Sequence, residues 1–257
     1  MEPVCIVLPC YNEAERLDVA SLERALVAIP GLHLVCVDDG SRDRTRELLE
    51  SLASSHPERV ECLALATNSG KAEAVRQGVL HALAARPGPE AIGYWDADLA
   101  TPLEELPEMR MLLERDPALE LVLASRVKLL GRSIERRAVR HYVGRIFATV
   151  VSAMLGLAVY DTQCGAKLFR AGSGLRELFE RPFLSRWVFD VEILARLIAA
   201  RGREGERGAE RVVCEHPLHE WRDVAGSKLR AIDFAVAAID IARIWSRTLR
   251  GTRKRSQ

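Results

Sequence analysis

Short, continuous apolar runs alternate along the first half of the chain with longer stretches of helical periodicity. Residues 4–8, 32–37, 60–66, 91–95 and 119–124 are apolar throughout most of their length and short enough to be buried strands. Between them, 14–29, 44–54, 72–85 and 103–114 repeat apolar residues at the three-to-four spacing of amphipathic helices. Strands without polar alternation, separated by such helices, predict an α/β fold with a mostly parallel central sheet covered on both faces. The links are short, so no internal domain boundary is expected.

Polar residues gather just past the apolar runs: Tyr11-Asn12-Glu13, Asp38-Asp39-Gly40-Ser41, Asn68-Ser69-Gly70-Lys71 and Asp96-Ala97-Asp98. In open α/β sheets, ligands bind in the crevice outside the carboxyl ends of the strands. Four polar tips from four successive strands are therefore expected to line one edge of the sheet.

The second half reads differently. Residues 126–145 carry Arg126, Lys128, Arg132, Arg136, Arg137, Arg140 and Arg145 against a single acid, Glu135. An apolar run follows at 146–160, shorter than the roughly 20 residues that a spanning helix needs. Basic residues beside an apolar stripe suit a helix lying in the plane of lipid headgroups; the plainer reading is a solvated helix face. A polar turn at Asp161-Thr162-Gln163 leads to a strand at 166–169, helices around 175–179 and 189–201, a charged loop at 201–211 and a strand at 212–216. The last helix spans 229–245. Leu229, Ile232, Val236 and Ile239 share one face of it, with Phe234, Ala238, Ile241 and Trp245 roughly opposite. Such a helix requires two apolar partners, the core and either lipid or a second subunit. The tail 247–257 is basic and expected to fray.

Composition narrows the possibilities. Lys and Arg total 37 against 36 Asp and Glu, a formal net charge of +1, so global charge does not call for nucleic acid as a partner. The six cysteines are scattered without metal-finger spacing, which predicts buried free thiols in a reducing compartment. Met1-Glu2-Pro3 runs straight into a strand and leaves no room for a signal peptide, so a cytoplasmic protein is expected. Neither G-x-G-x-x-G after the first strand nor a P-loop occurs, which argues against dinucleotide dehydrogenases and P-loop NTPases. No nucleophile elbow is present either. His216 and His219, on either side of Pro217, read as surface or packing residues rather than a metal pair.

Asp96 and Asp98 follow an apolar strand on what should be a turn. Two carboxylates one residue apart can converge on one hard cation, Mg2+ or Mn2+, that also holds donor phosphates. They can equally serve a helix start before Pro102, where acids favour the dipole. Asp38-Asp39-Gly40-Ser41 is likewise either a capping turn or a set of acceptors for a base or ribose.

Taken together, Val7-Leu8-Pro9-Cys10-Tyr11-Asn12-Glu13, Val37-Asp38-Asp39-Gly40-Ser41, Asp96-Ala97-Asp98 and Ala124-Ser125-Arg126 resemble inverting family 2 glycosyltransferases of the GT-A fold. Asp161-Thr162-Gln163-Cys164-Gly165-Ala166-Lys167-Leu168-Phe169 and Arg186-Trp187-Val188-Phe189-Asp190-Val191-Glu192 resemble, more specifically, dolichyl-phosphate β-glucosyltransferases. Gly226-Ser227-Lys228 extends the likeness. The resemblance implies a single GT-A catalytic domain over 1–246, with 126–160 as its acceptor and membrane-surface segment and 247–257 as a tail. It implies transfer of glucose from UDP-glucose to a polyprenyl phosphate at the cytoplasmic face of a membrane.

Carried over by position, the resemblance gives Pro9, Tyr11, Glu13 and Asp39 the uridine, with Lys71 and Asp96 also in the nucleotide-sugar set. Asp96 and Asp98 lie at the diphosphate and its metal, and Arg126 at a donor or acceptor phosphate. Arg136 and Arg140 take the acceptor lipid phosphate, and Asp161 stands near the reacting centre. The chain departs from related mannosyl enzymes, which place a Gln where Ala100 stands, and residues 70–76 lack the extra glycines common after the family's Lys. With no transmembrane helix in view, peripheral attachment or a membrane-protein partner has to substitute for one, and a homo-oligomer stands as a further partner. Another nucleotide sugar such as GDP-mannose, a non-lipid acceptor, or a non-catalytic nucleotide-sugar-binding protein remain alternatives.

Overall fold

A computed structural model describes residues 3–85, 88–135, 138–202, 205, 208–223 and 231–249. Four strands, β1 (Val4–Cys10), β2 (Leu32–Asp38), β3 (Val60–Ala64) and β4 (Ala91–Trp95), run parallel. Helices α1 (Val19–Ala28), α2 (Thr45–Ser55) and α3 (Lys71–Ala84) connect them. The chain continues through a 3₁₀ turn (Leu103–Glu105), α4 (Leu106–Arg115), β5 (Leu121–Ser125), β6 (Ser133–Glu135) and α5 (Ala138–Leu155). Then come β7 (Ala166–Arg170), α6 (Ser173–Glu180), α7 (Phe189–Arg201), α8 (Ala209–Val212), β8 (Val213–Pro217), β9 (Glu220–Arg222) and α9 (Ala231–Ile244).

The main sheet has the order β3-β2-β1-β4-β7-β5-β8, and β6 pairs with β9 in a small second sheet. Side chains alternate across the strands with period two. Ile6 and Leu8 of β1 enter a core that includes Leu22, Trp95, Leu106 and Leu168. Cys5 and Val7 enter the opposite core, with Val75, Tyr94, Phe169 and Phe189. Both faces are thus covered, as continuous apolar strands require.

Two features of this sheet place the site. First, the order reverses at β1: β2 and β3 lie on one side of it and β4 on the other. Pairing between β1 and β4 stops at Val7 and Tyr94, while β1 stays paired with β2 as far as Cys10 and Asp38. A crevice opens between the diverging ends, as expected where a strand order reverses. Second, β7 is antiparallel to both β4 and β5, with Ala166 opposite Trp95 and Lys167 opposite Leu123. The start of β7 therefore lies at the edge where the parallel strands finish.

Local chemistry explains the departures from the expected boundaries. The helix expected from residue 14 begins only at Val19, because Arg16 and Leu17 turn back to the Glu13 carbonyl and the Asp18 side chain caps Ser21 N at 3.0 Å. The strand expected at 212–216 begins at Val213, after the short turn α8. Gly78 lets α3 press onto the sheet: a Cβ there would fall 2.4 Å from Val7 Cγ1.

On α5, Ala148, Val151 and Leu155 are buried, whereas Ile146 and Val150 are 68% and 54% exposed. On α9, Ala237 and Ile244 are buried and Ile241 packs on the core with Trp245, while Val236 and Ile239 face outward. Ala238 is exposed. Among the described residues no helix is long and apolar enough to cross a membrane.

Candidate active site

Pro9, Tyr11, Glu13, Asp39, Lys71, Asp96 and Asp98 line one cavity of about 390 Å³ in the crevice, together with Arg16 and Asn68. The first wall is the tip after β1. Asn12 adopts φ +52°, a conformation that Asn tolerates better than most residues. Its N–H donates to Ser41 Oγ at 3.0 Å, and its Oδ1 accepts from Arg42 N at 2.8 Å. Glu13 N donates to Thr45 Oγ1 at 2.8 Å, so the tips after β1 and β2 are tied together. The Glu13 carboxylate holds Arg16 through two hydrogen bonds, 2.7 and 2.5 Å.

Asp39 is 2% exposed and its carboxylate organises the next loop. Oδ1 accepts Ser69 N at 2.7 Å; Oδ2 accepts Gly70 N at 2.8 Å and Asn68 Nδ2 at 2.9 Å. From the other side, Arg186 donates to Ser69 O at 3.0 Å and to Asn68 Oδ1 at 2.9 Å. Gly70 has φ +94°, and a Cβ on it would lie 2.5 Å from Arg186 Nε, so both backbone conformation and space require glycine. This clamp fixes the start of α3 and delivers the Lys71 ammonium to Asp96 Oδ1 as an ion pair. Burial alone would lower the Lys71 pKa, but the charges of Asp96 and Asp190 outweigh it and hold the ammonium above its ordinary range.

Asp96 N donates to Gly165 O at 2.9 Å, and Gly165 leaves room for the carboxylate: its Cβ would fall 1.9 Å from Asp96 Oδ2. Beyond it, Leu99 turns at φ +49°, and Ala100 N donates to Asp98 Oδ1 at 3.2 Å. Trp95 Nε1 anchors the loop through Thr101 O at 3.1 Å. Burial, and then the neighbouring Asp96, push the Asp98 carboxyl above the usual carboxylate range. A pair of crowded acids in a polar cavity is a donor set of the kind that hard divalent cations take. Asp96 and Asp98 fit such an ion.

Arg126 and Asp161 sit beside this cavity without lining it. Arg126 closes β5 and Asp161 precedes β7, and the reversed direction of β7 makes them neighbours. The guanidinium grips the carboxylate with Nε to Oδ2 at 2.6 Å and Nη2 to Oδ1 at 2.8 Å. The backbone of Tyr160 and Asp161 is held in turn by Glu215, at 2.8 and 2.9 Å. The Trp221 ring lies 5.4 Å from Arg126 Cζ. Burial works against the Arg126 charge, but Asp161 more than offsets it and raises the pKa further. Arg140 stands on α5, while Arg136 and the 226–228 motif lie outside the described residues.

Residues to which the sequence reading assigns no role also build the site. Lys167 Nζ, buried beneath it, donates to Asp190 Oδ1 at 2.5 Å and to Cys164 O at 2.8 Å, holding the loop that contains Gly165. Tyr94 OH donates to the same Asp190 oxygen. Lys167, Asp190 and Arg186 all fall within the long motifs quoted above, so their positions were visible but their partners were not. Arg16 carries a weaker signal, a cation three residues after Glu13 at a strand tip. The six cysteines are free, and burial pushes the Cys5 and Cys36 thiols up to about 12, far from a reactive thiolate.

Comparisons with known proteins agree with this architecture. The profile of glycosyl transferase family 2 matches residues 5–173. A dolichyl-phosphate beta-glucosyltransferase of Trichomonas vaginalis is 32% identical over 250 residues, covering 93% of this chain and 69% of that protein. The dolichyl-phosphate beta-glucosyltransferase of Drosophila melanogaster is 30% identical over 267 residues, covering 96% and 75%. Among solved structures, glucosyl-3-phosphoglycerate synthase from Mycobacterium tuberculosis, crystallised with Mn2+, UDP-glucose and phosphoglyceric acid, superposes with a TM-score of 0.64 at 19% identity. That match covers 95% of this chain and 80% of the synthase and is a likeness of GT-A fold. The crevice at the strand reversal, its acids and the matched profile lead to one assignment: the chain is a glycosyltransferase and belongs to family 2.

Proposed function

We propose that this chain transfers glucose from UDP-glucose to a polyprenyl phosphate at a membrane surface, inverting the anomeric carbon and using Mg2+ or Mn2+. The observation that carries the reading is the gathering of Asp39, Lys71, Asp96 and Asp98 around one cavity at the reversal of strand order. The dolichyl-phosphate beta-glucosyltransferases support the acceptor class, and the synthase crystallised with UDP-glucose and Mn2+ supports the donor and the ion.

Pro9, Tyr11 and Glu13 form the wall for the uridine, and Asp39 acts on it through the loop that it holds as well as by its place in the cavity. Asp96 and Asp98 would hold the cation, which would supply stabilisation of the charge on the departing diphosphate. The Lys71 ammonium, already aimed and kept charged by its acidic neighbours, adds a fixed cation at the same place. A phosphate acceptor is ionised at neutral pH and needs positioning more than deprotonation. Asp161 therefore serves by fixing the Arg126 guanidinium through its Nε–Nη2 edge, so that the positive charge stands in place for a phosphate. The family resemblance assigns Arg136 and Arg140 to the same acceptor phosphate.

The outward apolar residues Ile146 and Val150 on α5, and Val236 and Ile239 on α9, support contact with the lipid that carries the acceptor. The cytoplasmic leaflet, with its anionic lipids, suits the basic residues of 126–145.

Incubation with radiolabelled UDP-glucose, a polyprenyl phosphate, detergent and Mg2+ tests the reading. Label is expected in the organic phase and to disappear with chelator. Label that reaches only water-soluble acceptors would reject the lipid acceptor, and preference for another nucleotide sugar would reject glucose.

A further inference from the structure

A second group of side chains with metal-ligand chemistry lies outside the cavity. The 3₁₀ turn after the Asp96–Asp98 loop ends at Glu105, which is 4% exposed. His216 of β8 places Nε2 3.0 Å from Glu105 Oε2, and His219, in the turn between β8 and β9, places Nδ1 3.2 Å from the same oxygen. One ligand atom from each of the three residues lies within 4.8 Å of the others. Glu108, in the first turn of α4, adds a carboxylate 3.9 Å from His216 Nε2 and 3.6 Å from His219 Nε2.

Three observations point to an ion rather than to packing. The other oxygen of Glu105 is fixed by backbone amides, accepting His219 N at 2.7 Å and Glu220 N at 3.1 Å, which leaves Oε2 turned to the imidazoles. Orientation of a ligating carboxylate by outer hydrogen bonds is how metal sites are held. Two carboxylates also meet here, and among the described residues their ion-pair partners are the two histidines alone. A dication held between them would offset that charge. Finally, His216 is buried while His219 and Glu108 each have side chains 49% exposed, so the site is closed on one side and open to solvent on the other.

We propose that Glu105, His216 and His219, with Glu108 at the rim, form a second cation site, selective for a zinc-type dication. Two imidazoles and a carboxylate are a donor set for zinc rather than for Mg2+, which prefers oxygen ligands. None of the four lines the donor cavity. The ion ties the segment that follows Asp98 to the turn leading into Trp221, the residue whose ring lies against Arg126. Its role is to stiffen that side of the catalytic edge, separately from the ion held by Asp96 and Asp98.

The test uses untagged full-length protein, zinc alone as the probe, and metal analysis after gel filtration, with thermal unfolding as a second readout. Wild type is expected to retain a single equivalent of zinc and to gain thermal stability from it. His219→Ala, at a half-exposed position that the fold tolerates, is expected to bind zinc at least about tenfold more weakly and to lose the stabilisation. Asp98→Ala and Cys214→Ser are expected to keep both. Failure of wild type to hold stoichiometric zinc, or retention undiminished in His219→Ala, would overturn the proposal. Loss of zinc from Asp98→Ala would also overturn it, by placing the ion in the donor cavity.

Discussion

At the catalytic edge, each polar tip is held from more than one direction. Loop 68–70 is clamped between Asp39 and Arg186, and Asp96 is seated against Gly165 and paired with Lys71. On the outer face of α5 and α9, Ile146, Val150, Val236 and Ile239 instead project from helices whose opposite sides are anchored in the core. The contrast follows from the physics of the two kinds of recognition proposed for these regions. A misplaced polar group loses its hydrogen bond and still bears the cost of desolvation, so a nucleotide site has to be built in advance. Apolar contact is non-directional and proportional to area, so a lipid-facing surface needs exposure and little else.

This contrast can be broken most forcefully from underneath. Lys167→Ala leaves Asp190 buried without its cation, and removing one partner of a buried pair costs about 3–5 kcal/mol. Urea unfolding is expected to show that loss. A near-neutral result would mean that the network beneath the edge is not what holds it.

Asp98→Asn comes next. Removing a proposed ligand of a cation that would contribute several kcal/mol is expected to lower kcat about a hundredfold or more. Stability in the absence of divalent ions should move the other way. Because the folded state raises the Asp98 pKa, it binds a proton more tightly than the unfolded chain does. The carboxylate therefore destabilises the fold as pH rises through the unfolded and then the raised folded value. The amide removes that penalty, so the metal-free variant should melt higher than wild type at neutral pH, with the gain vanishing in acid. A lower melting temperature at neutral pH would contradict this account of Asp98.

The smallest effect belongs to the outer face. Ile146→Asp and Ile239→Asp should each weaken association with anionic vesicles at least about tenfold, given about 1.5–3 kcal/mol for burying such a side chain. Affinity for UDP should not change. Coupled losses of vesicle and UDP binding would show that the two regions are not separable.

The acids of the cavity were legible because they cluster directly after apolar runs, and strand ends are where open sheets bind ligands. Asp39, Asp96 and Asp98 were all placed in that way. The direction of β7 was not, since a strand buried on both faces reads the same whether parallel or antiparallel. The grip of Arg126 on Asp161 depends on that reversal, so the pairing was invisible although both residues had been singled out. The start of α1 was missed for a smaller reason: apolar spacing continues through Ala14 and Leu17, while the Asp18 cap decides where the helix begins. The convergence of Glu105 with His216 and His219 likewise joins residues over a hundred positions apart, beyond the reach of local pattern.

The reversed strand has one more implication. The chain leaves the sheet at Arg126 and re-enters it at Ala166, and both points lie on the same rim, next to each other. Everything between is an excursion with pinned ends, carrying β6, α5 and five arginines, Arg132, Arg136, Arg137, Arg140 and Arg145. Such a cassette can be exchanged, lengthened or re-tuned while the nucleotide-facing half keeps its strand pairings. Under the proposed function, swapping it between relatives that differ in acceptor is expected to change specificity while the donor cavity keeps its strands.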